Sequence, residues 1–327
     1  MLYIISDFKT EISEFIFSSL NRDDVKLINH PSKTKGVVQK IKRFVECGVP
    51  VKMNIFYSDE LVCSLEKIKP DDDVLLFSIG NVKDLLILKK YLESRRVGSF
   101  LWNPVIEHHG EKIKAARRLN GLMDISDQIY TFDNCDAEKF GLNFVSQPYR
   151  YVDNESCEGI YDFYFVGYDK NRIAWLMRFK EIADDLSMRC YFHVLPDKGK
   201  KYSSAEKYFL KNAHLSYAEN IKIARSSKCL LEVLQKTQSG ATLRSVEALF
   251  LGKKLITNRP GIINEEYFHE SRNLFVFNVD DLDSNSLKSF VDDPCLDVGD
   301  NILMKYDING WVENFISLCE RPMPIIK

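Results

Sequence analysis

Residues 235–258 read QKTQSGATLRSVEALFLGKKLITN, a small-residue turn (Ser239-Gly240-Ala241) followed by a segment of helical period and an apolar run. The run before it is KCLLEVL (228–234) and the run closing it is KKLITN (253–258). Between them Leu243, Val246 and Phe250 fall on one helix face, while Gly240, Arg244 and Glu247 fall on another. Gly252 stands where a helix ends on a C′ glycine. Strand, helix, strand makes a βαβ unit with a right-handed crossover. In such units ligands sit beyond the carboxyl ends of the strands, where the next helix begins. A helix start exposes unpaired N–H groups and partial positive charge, which suits a phosphate. Gly240 lets the backbone approach closely, Ser239 can cap or donate, and Thr242 adds a hydroxyl. From Gly240 to Glu247 the helix rises about 10 Å, the span from a diphosphate to its ribose. Arg244 is then expected to neutralise phosphate and Glu247 to accept the ribose hydroxyls. The same string also reads as a solvated i,i+3 pair, worth only a few tenths of a kcal/mol.

Outward from this unit the chain alternates apolar, β-rich runs with helical stretches. LYIIS (2–6), VKLIN (25–29), PVKMNIFY (50–57), DDVLLFS (72–78), GSFLWN (98–103) and QIYTFD (128–133) read as strands. TEISEFIFSSL, VVQKIKRFVECG, VKDLLILKKYLESRR and EKIKAARRLNGLMDISD lie between them with helical period. After the polar linker RYVDNESCEGI a second series begins with YDFYFVG (161–167), KNRIAWLMRFKEIADDL (170–186) and RCYFHVL (189–195). Such alternation predicts an α/β fold with parallel sheets covered on both faces. Two series on either side of a linker predict two Rossmann-like domains, 1–152 and 153–327. The last helix, about 309–319, is expected to pack back on the first domain.

The bounds agree with a two-domain globular protein. The chain has 327 residues, 45% hydrophobic and 28% charged. A formal net charge of −2 argues against nucleic acid as the partner. No apolar run is long enough to span a bilayer. The start, MLYIISDFKTEISEF, lacks the basic, apolar and small-residue parts of a signal peptide and reads as a first strand. Eight scattered cysteines without a C-x-x-C pair read as free thiols of a reducing cytoplasm. Localisation is accordingly expected to be cytoplasmic, at the inner face of the membrane if the acceptor is lipid-linked.

YDFYFVGYDKNR, LSYAENIKIARSSKCLLEV, QSGATLRSVEALFLGKKLITN and QIYTFDNCDAEKFGLNF together resemble the GT-B glycosyltransferases of bacterial surface-polysaccharide and lipopolysaccharide assembly, including the CgeB-like group. The likeness runs from about Asn103 to Phe277 and is strongest in the C-terminal half. It implies two Rossmann-like domains facing each other across a cleft. The sugar nucleotide would sit on the C-terminal domain and a saccharide or lipid-linked saccharide acceptor on the N-terminal one. It implies a metal-independent transferase without a cofactor, the nucleotide-sugar donor being a substrate. Many such families carry an E-x7-E pair whose second carboxylate meets the ribose. Glu247 fits the second place, but the first falls on Ser239, so Gln238 and Ser239 are left to take the sugar contacts.

Other residues earn roles by position. Gly167, Lys170 and Arg172 stand where the first strand of the second domain meets its helix, and a cationic pair there can hold the diphosphate leaving group. His193, in a strand entering the cleft side, can meet base or phosphate, although a lone His in an apolar strand is more often structural. A base is needed to deprotonate the acceptor hydroxyl. Asp7 after LYIIS, His30 after VKLIN and Asp133 in YTFD are the candidates, Asp133 also being placed to cap the helix CDAEKF. Asn103, where a strand exits, is a candidate acceptor contact. His108 and His109 are poor bidentate ligands with no third ligand at metal spacing, so no metal site is expected. KTKGVVQKIKRF and KIKAARR interleave basic and apolar residues, as a membrane contact or a wet-faced core helix does.

Three other classes fit parts of the pattern. A Rossmann oxidoreductase or methyltransferase is disfavoured, since no G-x-G-x-x-G follows a predicted strand. A non-sugar transferase, moving pyruvyl or polyol phosphate onto polysaccharide, would share the fold. So would an inactive GT-B-like scaffold, because fold does not give function.

Overall fold

The computed structural model describes residues 1–31, 36–106, 112–152, 159–234, 239–259, 261–262 and 273–316. By its internal contacts the chain divides into one unit of Met1–Gln147 that resumes at Ile308, and a second of Pro148–Asp307.

In the first unit β1 (Leu2–Ser6), β2 (Val25–Asn29), β3 (Asp73–Phe77), β4 (Arg96–Leu101), β5 (Gln128–Thr131) and β6 (Asn143–Phe144) form a parallel sheet in the order β2-β1-β3-β4-β5-β6. Every residue of the central strands β1 and β3 is buried, as expected of a sheet covered on both faces, whereas the edge strand β2 is exposed at three of its five positions. The covering helices are α1 (Glu11–Phe17), α2 (Val37–Gly48), α3 (Asp59–Glu66), α4 (Val82–Leu92), α5 (Lys112–Met123) and α6 (Asn134–Phe140). Leu85, Leu88 and Leu92 of α4 fall in line on the core side, Asn81 caps its start, and Lys89 and Lys90 complement the dipole at its end. Ser94, at φ 65°, breaks the helix before the expected strand, which starts at Arg96 rather than 98.

PVKMNIFY is not a strand. Glu46, buried at the end of α2, accepts the backbone N–H groups of Met53, Asn54 and Ile55 at 2.9–3.3 Å, and Asn54 turns to φ 56°. A carboxylate that satisfies three successive donors leaves none of them for a sheet ladder. The chain re-enters the first unit as the short helix Ile308–Trp311 and a 3₁₀ turn, Val312–Phe315. Trp311 is fully buried against Phe77, Phe100 and Phe315, with ring centroids 5.8, 5.0 and 4.5 Å away, and donates to the Ser146 carbonyl at 2.6 Å.

In the second unit β7 (Tyr161–Tyr168), β8 (Cys190–Leu195), β9 (Ser227–Glu232), β10 (Lys254–Thr257) and β11 (Leu274–Val276) run parallel in the order β11-β10-β9-β7-β8. The chain steps from β7 to β8 on one side and then to β9 on the other, so the strand order reverses between β7 and β9. That is the switch point at which open α/β sheets bind ligands. Helix α7 (Ile173–Asp185) buries Ile173, Leu176, Phe179 and Ala183, one face of a 3.6 period. It starts three residues later than expected because Lys170 and Asn171 sit at φ 42° and 64°, outside helical space. The segment after β8 contains a helix, α8 (Ser204–Phe209), which the capping box of Ser203 and Glu206 starts. A second capping box, Ser216 with Glu219, starts α9 (Tyr217–Arg225), and α10 spans Leu243–Phe250.

Of the eight cysteines, Cys47, Cys63, Cys135, Cys190, Cys229 and Cys295 are free thiols, while Cys157 and Cys319 lie outside the described residues. Among the described residues no helix is long and apolar enough to cross a membrane.

Candidate functional site

The carboxyl ends of β7 and β9 are joined by one side chain. Arg172, in the turn after β7, donates Nη2 to the Tyr168 carbonyl at 2.9 Å, Nη1 to the Val233 carbonyl at 2.9 Å, and Nε to the Asp169 carbonyl at 3.2 Å. Its plane lies over the Phe165 ring, 5.4 Å from the centroid. Three carbonyls hold this guanidinium in place, and no carboxylate lies within ion-pair distance of it among the described residues. Burial pulls its pKa down to about 10, and Arg244 adds to the depression against Asp169 and Asp197. The group therefore stays charged at neutral pH, half-buried at the switch point, with two of a guanidinium's five N–H donors left over. Gly167 lies alongside: a Cβ there would come 3.7 Å from Arg172 Nη2.

The turn is pinned from below by Asp169, which is fully buried. Its Oδ1 accepts from Ile173 N at 2.7 Å, and its Oδ2 accepts from Tyr202 Oη at 3.0 Å and pairs with Lys200. Burial pushes the Asp169 carboxyl up, but these hydrogen bonds outweigh it and hold the group below the usual carboxylate range. Lys200 is thus an internal counter-ion, also reaching Asn171 Oδ1 at 3.1 Å. Lys170 is half-buried in the same turn.

The α10 region departs from expectation. Thr242, not Ser239, is the N-cap, accepting from Arg244 N at 3.1 Å. The anion at this helix start is internal. Glu232, at the end of β9 and 1% exposed, accepts from Thr242 N at 2.9 Å, Thr242 Oγ1 at 2.7 Å and Ser245 Oγ at 2.6 Å. Its other oxygen accepts from Thr257 Oγ1 at 2.7 Å and faces Arg259 Nε at 3.4 Å. Ser239 and Gly240 precede this cap, half-buried and buried; Gln238 lies outside the described residues.

Arg244 and Glu247 do form an i,i+3 pair, but a buried one. Glu247 is 1% exposed and also accepts from Tyr217 Oη at 2.8 Å and Asn220 Nδ2 at 3.3 Å. Tyr149 Oη meets Tyr217 Oη at 3.0 Å, and Arg244 lies over the Tyr164 ring, 5.0 Å from its centroid. Burial alone lowers the Arg244 pKa, and Glu247 with the surrounding phenols more than restores it. Burial pushes the Tyr149 and Tyr217 phenols well up. In this geometry the Glu247 carboxylate is turned into the unit and Arg244 is its ion-pair partner. The pair is therefore buried and not solvated, and the guanidinium at the switch point with no carboxylate within ion-pair distance, among the described residues, is Arg172.

His193 likewise serves the fold: Nε2 donates to the Ala213 carbonyl at 2.7 Å and the ring stacks on Tyr191. Of the base candidates, Asp133 is buried as the N-cap of α6, accepting from Asp136 N at 3.1 Å. His30 is 2% exposed with Nε2 against Tyr57 Oη at 2.9 Å. Asp7, half-buried at the carboxyl end of β1, accepts from Lys9 N at 3.1 Å and is the most accessible of the three. Asn103 is exposed in a bend after β4; His108 and His109 lie outside the described residues. Among the described residues no group of three or more His, Cys, Asp or Glu comes together to hold a metal ion.

His30 gives a pH-dependent signature. Burial first, then Arg43, lowers its pKa from 6.5 to about 4 against an opposing effect of Asp7. A lowered folded-state pKa means that the unfolded chain takes up the proton first, so stability is full above pH 6.5 and is lost as pH falls towards 4. The loss is expected to reach about 3 kcal/mol. Urea unfolding of wild type and His30→Phe across that window checks it: the variant's curve should be flatter by that amount.

No protein-family model matches the chain, and no curated protein matches it in sequence. Solved structures do match in shape. The E. coli trehalose-6-phosphate protein bound with UDP-2-fluoro glucose aligns over 99% of this chain and 100% of its own, at 12% identity and a TM-score of 0.61. A UDP-forming α,α-trehalose-phosphate synthase from Burkholderia vietnamiensis aligns over 98% of this chain and 100% of its own, at 11% identity and a TM-score of 0.59. The Burkholderia xenovorans synthase in complex with glucose-6-phosphate aligns over 96% and 98%, at 10% identity and a TM-score of 0.56. Identities this low speak for the fold alone. The chain is an α/β protein of GT-B architecture, with two parallel sheets of six and five strands.

Proposed function

We propose that the chain is a glycosyltransferase that moves a sugar from a nucleoside-diphosphate donor to a saccharide acceptor, and that the second unit holds the donor. The observation that carries this is Arg172, a fixed guanidinium at the β7/β9 switch point held by three carbonyls. Negative charge grows on the departing nucleoside diphosphate as its bond to the sugar breaks. A cation already fixed in place stabilises that charge without reorganising. Gly167, Lys170 and the Ser239-Gly240 turn complete the proposed diphosphate contacts. Asp7 is the proposed base for the acceptor hydroxyl, His30 and Asp133 being committed to Tyr57 and to α6. Under this reading the guanidinium does the charge-neutralising work that a metal does in other transferases. The fold likeness to UDP-forming synthases supports a nucleotide-sugar donor, and the sequence resemblance to the CgeB-like group supports a role in surface-polysaccharide or lipopolysaccharide assembly, with a saccharide or lipid-linked acceptor.

Thermal unfolding with UDP, GDP, CDP, TDP and CMP, each beside its bare nucleoside, tests the reading. A ligand at a hundred times its dissociation constant adds about 2.7 kcal/mol of stability. One diphosphate should stabilise the protein, and its bare nucleoside should do so much less at the same concentration. A folded sample that responds to none of them would sink the reading in favour of an inactive scaffold.

A further inference from the structure

The six-stranded unit has a second chemically distinct face, independent of whatever the other unit binds. Helix α2 turns its polar side inward: Glu46 is buried, and Arg43 pairs with the buried Asp84 of α4. Its apolar side faces out. Val37 is 72%, Ile41 57% and Phe44 64% exposed, in line at i, i+4 and i+7, with Val38 and Val45 alongside. This inverts the usual arrangement of a surface helix, whose apolar stripe faces the core. Beside the stripe lies a cleft of about 680 Å³ into which α2, α4 and α5 bring Lys40, Arg43, Lys83, Lys114, Arg117 and Arg118. Lys83 Nζ lies 5.0 Å from the centre of the Phe44 ring, so the cleft and the stripe are one surface. Ile113, 77% exposed, precedes Lys114 on α5.

We infer that this face docks on an anionic lipid bilayer, the α2 stripe entering the interface and phosphate-bearing headgroups entering the basic cleft. Aliphatic and aromatic residues on one face with Lys and Arg at its border is the make-up of a helix that lies in a membrane surface. A second copy of the chain is the poorer fit. A two-fold contact through this patch would set the cations of one copy against those of the other. The buried centre of a protein interface is also depleted in Lys. The chain carries a net charge of −2, so the cations of this cleft are a local concentration and not a general property of the surface.

Flotation of the full chain with vesicles tests this, using phosphatidylcholine alone against equal parts of phosphatidylcholine and phosphatidylglycerol. The protein should float with the anionic vesicles only, and added salt should release it. Ile41→Ser with Phe44→Ser, both at exposed positions, should abolish flotation while thermal unfolding stays as in wild type. Lys83→Gln with Arg117→Gln should lower the partition coefficient about 25-fold, at about fivefold per cation. Failure of folded wild type to float, or flotation that neither variant changes, overturns the inference. So does sedimentation showing self-association that the Ile41→Ser, Phe44→Ser variant removes, without vesicle binding. Inorganic pyrophosphate that raises the melting temperature of wild type but not of Lys83→Gln with Arg117→Gln, in a protein that ignores vesicles, overturns it too, in favour of a free-anion site in this cleft. Nucleotide titrations are unaffected by any of these outcomes, so the two readings fail separately.

Discussion

Arg172→Ala is expected to weaken nucleoside-diphosphate binding by roughly 10- to 100-fold and to leave binding of the bare nucleoside unchanged. The size follows from hydrogen bonds between charged partners, worth about 1.5–3 kcal/mol each. The contrast between ligands separates a phosphate contact from damage to the fold. Truncation also removes the donor from the carbonyls of Tyr168, Val233 and Asp169, which hold the ends of β7 and β9 together. That costs stability, about 1–3 kcal/mol for each polar group left buried without a partner. A folding defect lowers the affinity for nucleoside and diphosphate alike, whereas a lost phosphate contact lowers only the second. Arg172→Lys sharpens the comparison. An ammonium keeps the charge but cannot satisfy three carbonyls in the plane of a guanidinium and still point two donors outward. It should recover part of the diphosphate affinity and little of the stability. Calorimetric titration of the three proteins with diphosphate and nucleoside reads all of this, and equal losses for the two ligands would remove Arg172 from the site.

The fold was legible in the sequence because its strands are nearly continuous apolar runs between helices of clear period. LYIIS, VKLIN, KCLLEVL and KKLITN became β1, β2, β9 and β10 with small changes of boundary. The largest departure has a physical source that periodicity does not carry, a polar side chain acting on a backbone remote from it. Glu46 converts PVKMNIFY into a loop by binding three of its N–H groups, and nothing in that stretch announces a carboxylate seven residues upstream. The candidate site was legible in part. The turn containing Gly167, Lys170 and Arg172 was visible because it follows a strong strand, but its geometry was not. That geometry depends on two left-handed residues and on Asp169 reaching Lys200 and Tyr202 beyond the next strand. Arg244 and Glu247 do share one helix face, as their spacing implies. Periodicity says which residues share a face and cannot say whether that face meets water or, as here, a layer of Tyr149, Tyr164, Tyr217 and Asn220. Glu232 has no signal in the sequence. It ends an apolar strand, carries no motif, and acquires its role only when α10 and β10 fold around it.

Glu232→Ala should therefore be among the most damaging single changes in the second unit, about 3–5 kcal/mol, the usual penalty for breaking a buried charged network by removing one partner. Four donors lose their acceptor at once: the Thr242 amide and the hydroxyls of Thr242, Ser245 and Thr257. Arg259, itself buried, loses the carboxylate it faces. For a unit of this size a loss of that order lowers the melting temperature by roughly 10 °C. Glu232→Gln separates geometry from charge. The amide keeps the shape and one oxygen, so the Thr242 and Ser245 bonds can persist, and the Thr257 hydroxyl can rotate to accept. What it cannot replace is the attraction to Arg259, so it should fall between wild type and alanine. The effect also has an address. Thr242 caps α10, and the turn just before it is Ser239-Gly240-Ala241, so releasing the cap frees the start of the helix that shapes that turn. If the carboxylate acts through the cap, Thr242→Val and Glu232→Ala should together cost less than the sum of their separate effects, since each removes the bond from the Thr242 hydroxyl to Glu232. Strict additivity in urea unfolding would instead mean that Glu232 stabilises β9 and β10 through Thr257 and Arg259, and that the start of α10 is held by other contacts.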